Sequence, residues 1–189
     1  EETLERRRRV LGPDHPEVGS TITNLGVAYA GIGDTEKTRQ DFEESLEFSR
    51  RVEGEDSPGT IIGLLNLSAL LTNEGFQEAA WPYNDHAWEL GQRIMGPGNR
   101  ITLAAGLVRL DLLLRPIDTV RPEADLQQAE TLLRQMQTDA KASLGEHHST
   151  LAWIAAGRAF VLLHRGQAEQ ALVGMDEATA IMSQQHGPN

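Results

Sequence analysis

Leu11-Gly12-Pro13-Asp14-His15-Pro16 ends one helix and begins the next. Gly supplies the positive-φ turn that stops a helix, and Pro suits the first position of the following one. The same punctuation returns as Glu53-Gly54-Glu55-Asp56-Ser57-Pro58, Met95-Gly96-Pro97-Gly98-Asn99, Leu144-Gly145-Glu146-His147-His148-Ser149 and His186-Gly187-Pro188-Asn189. The glycines fall at 12, 54, 96, 145 and 187, so the spacings are 42, 42, 49 and 42. A fixed period of this length marks a repeat array. It divides the chain into a tail of a preceding unit (1–10), units 11–52, 53–94, 95–143 and 144–185, and the start of another (186–189). The third unit carries seven extra residues, placed near 115–122. Both ends then read as cut from a longer array.

Each unit reads as two helices. In the first, Val18, Ile22, Leu25 and Tyr29 recur at three-to-four spacing, Gly31-Ile32-Gly33-Asp34 stops the helix and caps the next, and Phe42, Leu46 and Val52 follow on one side. Unit two repeats the pattern with Ile61, Leu64, Leu67 and Leu71, then Asn73-Glu74-Gly75, then Ala79, Ala80, Ala87, Leu90 and Ile94. Unit four has Leu151, Ile154, Phe160 and Leu163, then Gly166, then Ala168, Ala171, Leu172, Met175 and Ala178. Period-two alternation is missing, so strands are not expected. His15, Ser57, Asn99 and His148 hold the slot of an N-cap, and Arg9, Arg51 and Arg93 precede the glycines by three, where a cation meets the negative helix end.

Composition narrows the chemistry. The chain has 189 residues, Lys+Arg 17 against Asp+Glu 28, a formal net charge of −11 and no Cys. Without Cys there is no disulfide framework, thiolate metal site or cysteine nucleophile. No apolar run approaches the ~18 residues of a membrane helix. The acidic balance opposes nucleic-acid binding, which needs clustered Lys and Arg.

Thr23-Asn24-Leu25-Gly26-Val27-Ala28-Tyr29, after Leu11–Pro16, resembles the kinesin-light-chain type of tetratricopeptide repeat (TPR). The 42-residue spacing exceeds the ordinary period of about 34. The small residue where paired helices touch matches Gly26, Ser68 and Ala159. The second-helix alanine matches Ala80, Ala129 and Ala171, and the large residue that packs back matches Phe42, Leu133 and Met175; Pro82 fits a proline common in the second helix. Thr38 and Asn84 depart from the pattern, and in unit three Arg109-Leu110 replaces the small residue.

The resemblance implies an all-α fold, a right-handed superhelix (α-solenoid) of antiparallel TPR helix pairs. It implies a non-catalytic protein–protein interaction module whose first helices line a concave groove for a peptide or partner helix. Carried over by position, the groove residues are Ser20, Thr23, Asn24 and Val27; Ile62, Leu65, Asn66 and Ala69; Ala104, Leu107, Val108 and Asp111; and Trp153, Ala156, Gly157 and Phe160. Asn24 and Asn66 match an asparagine that holds peptide backbone, since an amide donates and accepts at once. Val108 and Gly157 break that ladder. Trp153 and Phe160 are either anchors for a partner or packing residues.

Two other readings stay open: a regulatory arm of a larger bacterial enzyme such as a serine/threonine kinase, and a structural spacer or self-association array joined through its ends. The family habit and the lack of Cys imply cytoplasm. No catalytic residue, cofactor, metal, nucleic-acid or membrane partner is expected. Glu146-His147-His148 lacks metal-ligand spacing, and Gly31-Ile32-Gly33 lies between helices, where it is a turn and not a phosphate loop. Arg6–Arg9 reads as a helix tail paired with Glu2 and Glu5. The stretch between Val52 and Gln92 holds seven acids and neither Lys nor Arg; it reads as a solvated face, or as an attractor for a basic peptide. The insertion reads as a bulging linker, inert or in contact with a partner.

Overall fold

A computed structural model describes residues 1–115 and 120–186. The centre of the insertion and Gly187–Asn189, the last punctuation mark, lie outside the described residues, so the expected bulge and further repeat do too. Among the described residues every regular element is helical. The chain forms two compact units, Glu1–Leu90 and Gly91–Asn189.

The first unit contains α1 (Glu2–Leu11), α2 (Pro16–Ile32), α3 (Thr35–Val52), α4 (Pro58–Asn73) and α5 (Gln77–Leu90). The caps follow from the punctuation. His15 Nδ1 accepts from the Glu17 N–H at 3.2 Å, Asp34 Oδ1 from Lys37 N–H at 3.2 Å, and Ser57 Oγ from Thr60 N–H at 3.1 Å. Each satisfies one orphan donor of a helix start. Gly33 closes α2 in the left-handed region, φ 78° and ψ 13°. Gly12, after α1, combines φ 92° with ψ 156°, a region open essentially to glycine alone.

Consecutive helices of the first unit, joined by short turns, run antiparallel and approach closely where glycines make the contacts. A Cβ on Gly19 would meet the Phe48 ring at 2.5 Å, and one on Gly26 would meet Phe42 at 2.6 Å, so residues rising along α2 oppose residues falling along α3. Gly63 sits against the Leu46 backbone in the same way, pressing α4 onto α3. Leu4, Val18, Ile22 and Phe48 form one buried cluster, with Leu25 and Val52 at its edge. Ile61, Leu64, Leu67 and Leu71 bury the inner stripe of α4. Each such side chain contributes roughly 1.5–3 kcal/mol, against roughly 1 for a cap. Packing therefore holds the pairs, and the caps set where they begin.

Several polar residues of the first unit are buried, the pattern departures Thr38 and Asn84 among them. Thr38 is fully buried, and its hydroxyl donates to Asp34 O at 2.8 Å. Ser68 Oγ donates to Ala80 O at 3.2 Å, tying α4 to α5. Asn84 is also fully buried. The Arg6–Arg9 segment is helical, and its pairs differ from the four-residue spacing expected: Arg8 meets Glu5 at 2.9 Å and Glu44 of α3, while Arg7 meets Glu17 at 3.5 Å.

The second unit begins with a π-helical turn, Gly91–Met95, followed by α6 (Arg100–Leu114), α7 (Glu123–Leu144), α8 (Ser149–His164) and α9 (Ala168–His186). Asn99 Oδ1 caps α6 through Ile101 N–H at 2.9 Å, and His148 Nδ1 caps α8 through Thr150 N–H at 3.2 Å. Helix α6 is buried at Leu103, Ala105, Leu110, Leu112, Leu113 and Leu114, on more than one side. Ala129 and Leu133 of α7 are buried as the repeat pattern expects.

Met175 is a correction. Expected to pack back onto its partner helix, it is 40% exposed, whereas Phe42 and Leu133 at the matching positions are buried. Gly174 takes the inner position instead, its hypothetical Cβ 3.3 Å from Ala159 Cβ, so the neighbouring Met175 turns outward. Arg165, at the end of α8, reaches Glu130 at 2.5 Å and Glu123 at 2.7 Å on α7. Hydrogen bonds to Glu130 first, then Glu123, hold its proton more firmly than usual.

Candidate peptide-binding surface

In the first unit the packed stripes of α2 and α4 leave one face of each helix uncovered. On α2, Ser20, Asn24 and Val27 are exposed and Thr23 is half-buried; on α4, Ile62, Leu65, Asn66 and Ala69 are all half-buried. The two quartets share a helix register, because 42 residues separate each matching pair. Not all eight are available to a ligand. Thr23 Oγ1 donates to Gly19 O at 3.1 Å or shares a proton with Ser45 Oγ at 2.6 Å, so α3 already uses it. Ser20 Oγ donates back to Pro16 O at 3.2 Å and keeps acceptor capacity. The Asn24 and Asn66 amides have no hydrogen-bond partner among the described residues, and both reach solvent. Each offers a carbonyl and two N–H donors to a peptide backbone.

In the second unit α6 presents Ala104, Leu107, Val108 and Asp111, all half-buried. Asp111 is held by Arg115 at 2.7 Å, four residues on, so its charge is answered within its own helix. On α8, Trp153 is 59% exposed, and Ala156 and Phe160 are half-buried. Gly157 is buried and is no part of an open surface: a Cβ there would overlap Leu110 Cδ2 of α6 and lie 3.0 Å from Leu133 Cδ2 of α7. The asparagine ladder breaks at this position because the space beside it belongs to Leu110.

Candidates of other kinds resolve into structure. His15 and His148 are caps, and Glu146 pairs with Lys141 at 2.7 Å. Among the described residues no cluster of three or more His, Asp or Glu could hold a metal ion, and no helix is long and apolar enough to cross a membrane. Of the seven acids between Val52 and Gln92, Glu74 is paired with Arg39 and Glu55 with Arg50 at 3.1 Å. A cleft of about 470 Å³ lies between α3 and α5, lined by residues of three helices, and only the tertiary fold brings them together.

Comparison with known proteins agrees with this geometry. Residues 1–48 match the tetratricopeptide repeat family model. The solved structure of BtubC (BKLC) from P. vanneervenii superimposes with a TM-score of 0.76 at 18% identity, over 100% of this chain and 72% of that one. The chain carries the fold of the tetratricopeptide-repeat solenoids. A putative kinesin light chain of Podosopora anserina, with nearly identical TPR-like repeats, is similar in two solved forms. A point variant of it gives a TM-score of 0.71 at 14% identity, over 98% of this chain and 84% of that one. The other form gives 0.68 at 14%, over 99% and 85%. A search of curated proteins by sequence returns no match. TPR folds generally mediate protein–protein interaction, and nothing in these comparisons points to catalysis.

Proposed function

We propose that this TPR chain binds an extended peptide or partner helix along its first helices, with Asn24 and Asn66 of the first unit holding ligand backbone; within the second unit, taken by itself, Trp153 is the candidate anchor for an apolar side chain. One observation carries this reading. Two amides one repeat apart, on α2 and α4 of the same compact unit, one exposed and one half-buried, have no hydrogen-bond partner among the described residues. Surface asparagines at unrelated registers would carry no such meaning. Val27 and Ile62 supply apolar surface beside them, and Trp153 has the size and exposure of a binding anchor. The division into units at 11–52, 53–94, 95–143 and 144–185 belongs to the same proposal, because it sets the register in which these positions correspond.

The test is selection of peptides from a random displayed library on the intact chain, followed by titration with NMR detection. Selected peptides should perturb the side-chain amides of Asn24 and Asn66 or the indole of Trp153. Asn24→Ala with Asn66→Ala should weaken peptides of the first kind by roughly tenfold or more, the loss of one to two hydrogen bonds. Peptides that bind this variant and Trp153→Ala as tightly as the parent chain would remove the groove from the account.

A second reading, self-association, has one observation of its own. Leu172 and Val173 of α9 are 65% and 69% exposed, adjoining the outward-turned Met175. Leu172→Glu would abolish any concentration-dependent increase in sedimenting mass that this face causes. A mass that is constant with concentration in the parent chain ends that reading.

A further inference from the structure

The cleft between α3 and α5 is separate from the surface just described. Helices α3 and α5 both pack on α4, and the space left between them is floored by Leu67 of α4 and Leu46 of α3. Its walls are Glu43, Glu47, Arg50 and Arg51 of α3 and Tyr83 of α5. The two arginines are already answered by acids: Arg50 by Glu55 at 3.1 Å, and Arg51 by Asp14 with its guanidinium also 5.7 Å from the Phe48 ring centre. The two glutamates are not. Glu43 and Glu47 are exposed, one helical turn apart, and neither has a hydrogen-bond or ion-pair partner among the described residues. The Tyr83 hydroxyl likewise has none.

We propose that this outer cleft docks a basic peptide segment, with one Arg or Lys side chain laid over Leu46, Leu67 and the Tyr83 ring and its cationic head between Glu43 and Glu47. The chemistry is complementary on both counts. A long cationic side chain buries its aliphatic stem on apolar surface and keeps its charge at the edge, and a guanidinium stacks on a tyrosine face. A carboxylate pair one turn apart suits a forked donor. The size fits a peptide more closely than a single ion. Glu43 to Arg51 is eight residues of helix, about 12 Å of wall, which matches about four residues of extended chain. Glu47 and Arg51 also line a second concavity of about 290 Å³ beside α1, so the segment has room to continue past α3. The chain's net charge of −11 and the absence of Lys and Arg between Val52 and Gln92 add a long-range attraction for such a segment.

The probe is the capped peptide Gly-Ala-Arg-Leu-Arg-Ala-Gly, titrated into the isotopically labelled intact chain. Its counterpart with Glu for both Arg is a second arm, and spermidine a third. The Arg peptide should shift the backbone amides of Leu46, Glu47 and Tyr83, and weaken as salt is raised. Glu43→Gln with Glu47→Gln is near-isosteric at exposed sites, and circular dichroism checks that it folds. It should weaken the Arg peptide about tenfold, as expected for two exposed charge pairs. Tyr83→Ala should weaken it as well, and Asn24→Ala with Asn66→Ala should not. The proposal fails if millimolar Arg peptide causes no shifts, if shifts fall on α2 and α4 instead, or if the double Gln variant or the Glu peptide binds equally well. Spermidine binding as tightly as the peptide would replace the peptide by a free polyamine.

Discussion

Leu110 of α6 occupies the space that Gly157 of α8 leaves open. The repeat pattern asks for a small residue near Leu110, and this chain supplies the small residue on the neighbouring first helix instead. The two positions should therefore be energetically coupled. Gly157→Ala should destabilise the chain by about 1–3 kcal/mol through overpacking, despite the better helix propensity of Ala. Leu110→Ala alone should cost about 2–5 kcal/mol. Combined, they should cost less than the sum by about 0.5–3 kcal/mol in a double-mutant cycle of chemical denaturation. Strict additivity would show that Leu110 does not press on Gly157.

The glycines that end helices are of two kinds, and substitution should separate them. Gly33 is in the left-handed region, which Asn tolerates; Gly145, with φ 87° and ψ 169°, lies where only glycine is comfortable. Gly33→Asn should cost less than about 1 kcal/mol, and Gly145→Asn about 1–3 kcal/mol. Thermal unfolding of the two variants side by side is sufficient. Equal losses would mean that the turn after α7 can change its path.

Much of this architecture was legible because its signals are local. Helix starts needed only His15, Ser57, Asn99 and His148 in the slot before the first turn, and all four side chains cap as expected. The stop at Gly33-Asp34 was equally plain. What was not legible depends on which neighbour fills a space. Met175 looked like an inward residue because its offset in the repeat matched Phe42, yet Gly174 holds the inner position. Thr23 looked like a ligand contact, but Ser45, 22 residues away, lies beside it. Gly157 looked like a groove position, but Leu110 fills the space next to it. The Glu43–Tyr83 cleft had no linear signal, since a cleft between two second helices is a property of how both pack on a third.

Asp41 should make stability depend on pH. Burial first, and then the nearby Glu44, push its carboxyl above the usual aspartate range, and its Oδ2 is buried with no hydrogen-bond partner. A carboxyl whose folded value is raised favours the folded state while protonated. That contribution is present below the unfolded aspartate value of about 3.9 and is lost as pH rises through the higher folded value. Asp41→Asn should therefore raise the unfolding temperature at pH 7, with the gain shrinking as the pH is lowered through the aspartate range. A melting-temperature difference that is constant from acid to neutral pH would assign the effect to packing.

Trp153 and Ile154 are adjacent in α8, and they separate a ligand surface from a core. Ile154 is 1% exposed and Trp153 59%. Ile154→Ala should cost about 2–5 kcal/mol, the range for emptying a filled core site. Trp153→Ala removes a larger side chain, yet should change stability by less than about 0.5 kcal/mol, as exposed positions do. The fluorescence should agree: Trp81 and Trp88 are half-buried, so Trp153→Phe should remove the component most readily quenched by acrylamide. If Trp153→Ala unfolds the chain as readily as Ile154→Ala, the indole is a packing residue. The apolar anchor would then pass to Val27 and Ile62 of the first unit, beside the two open asparagines.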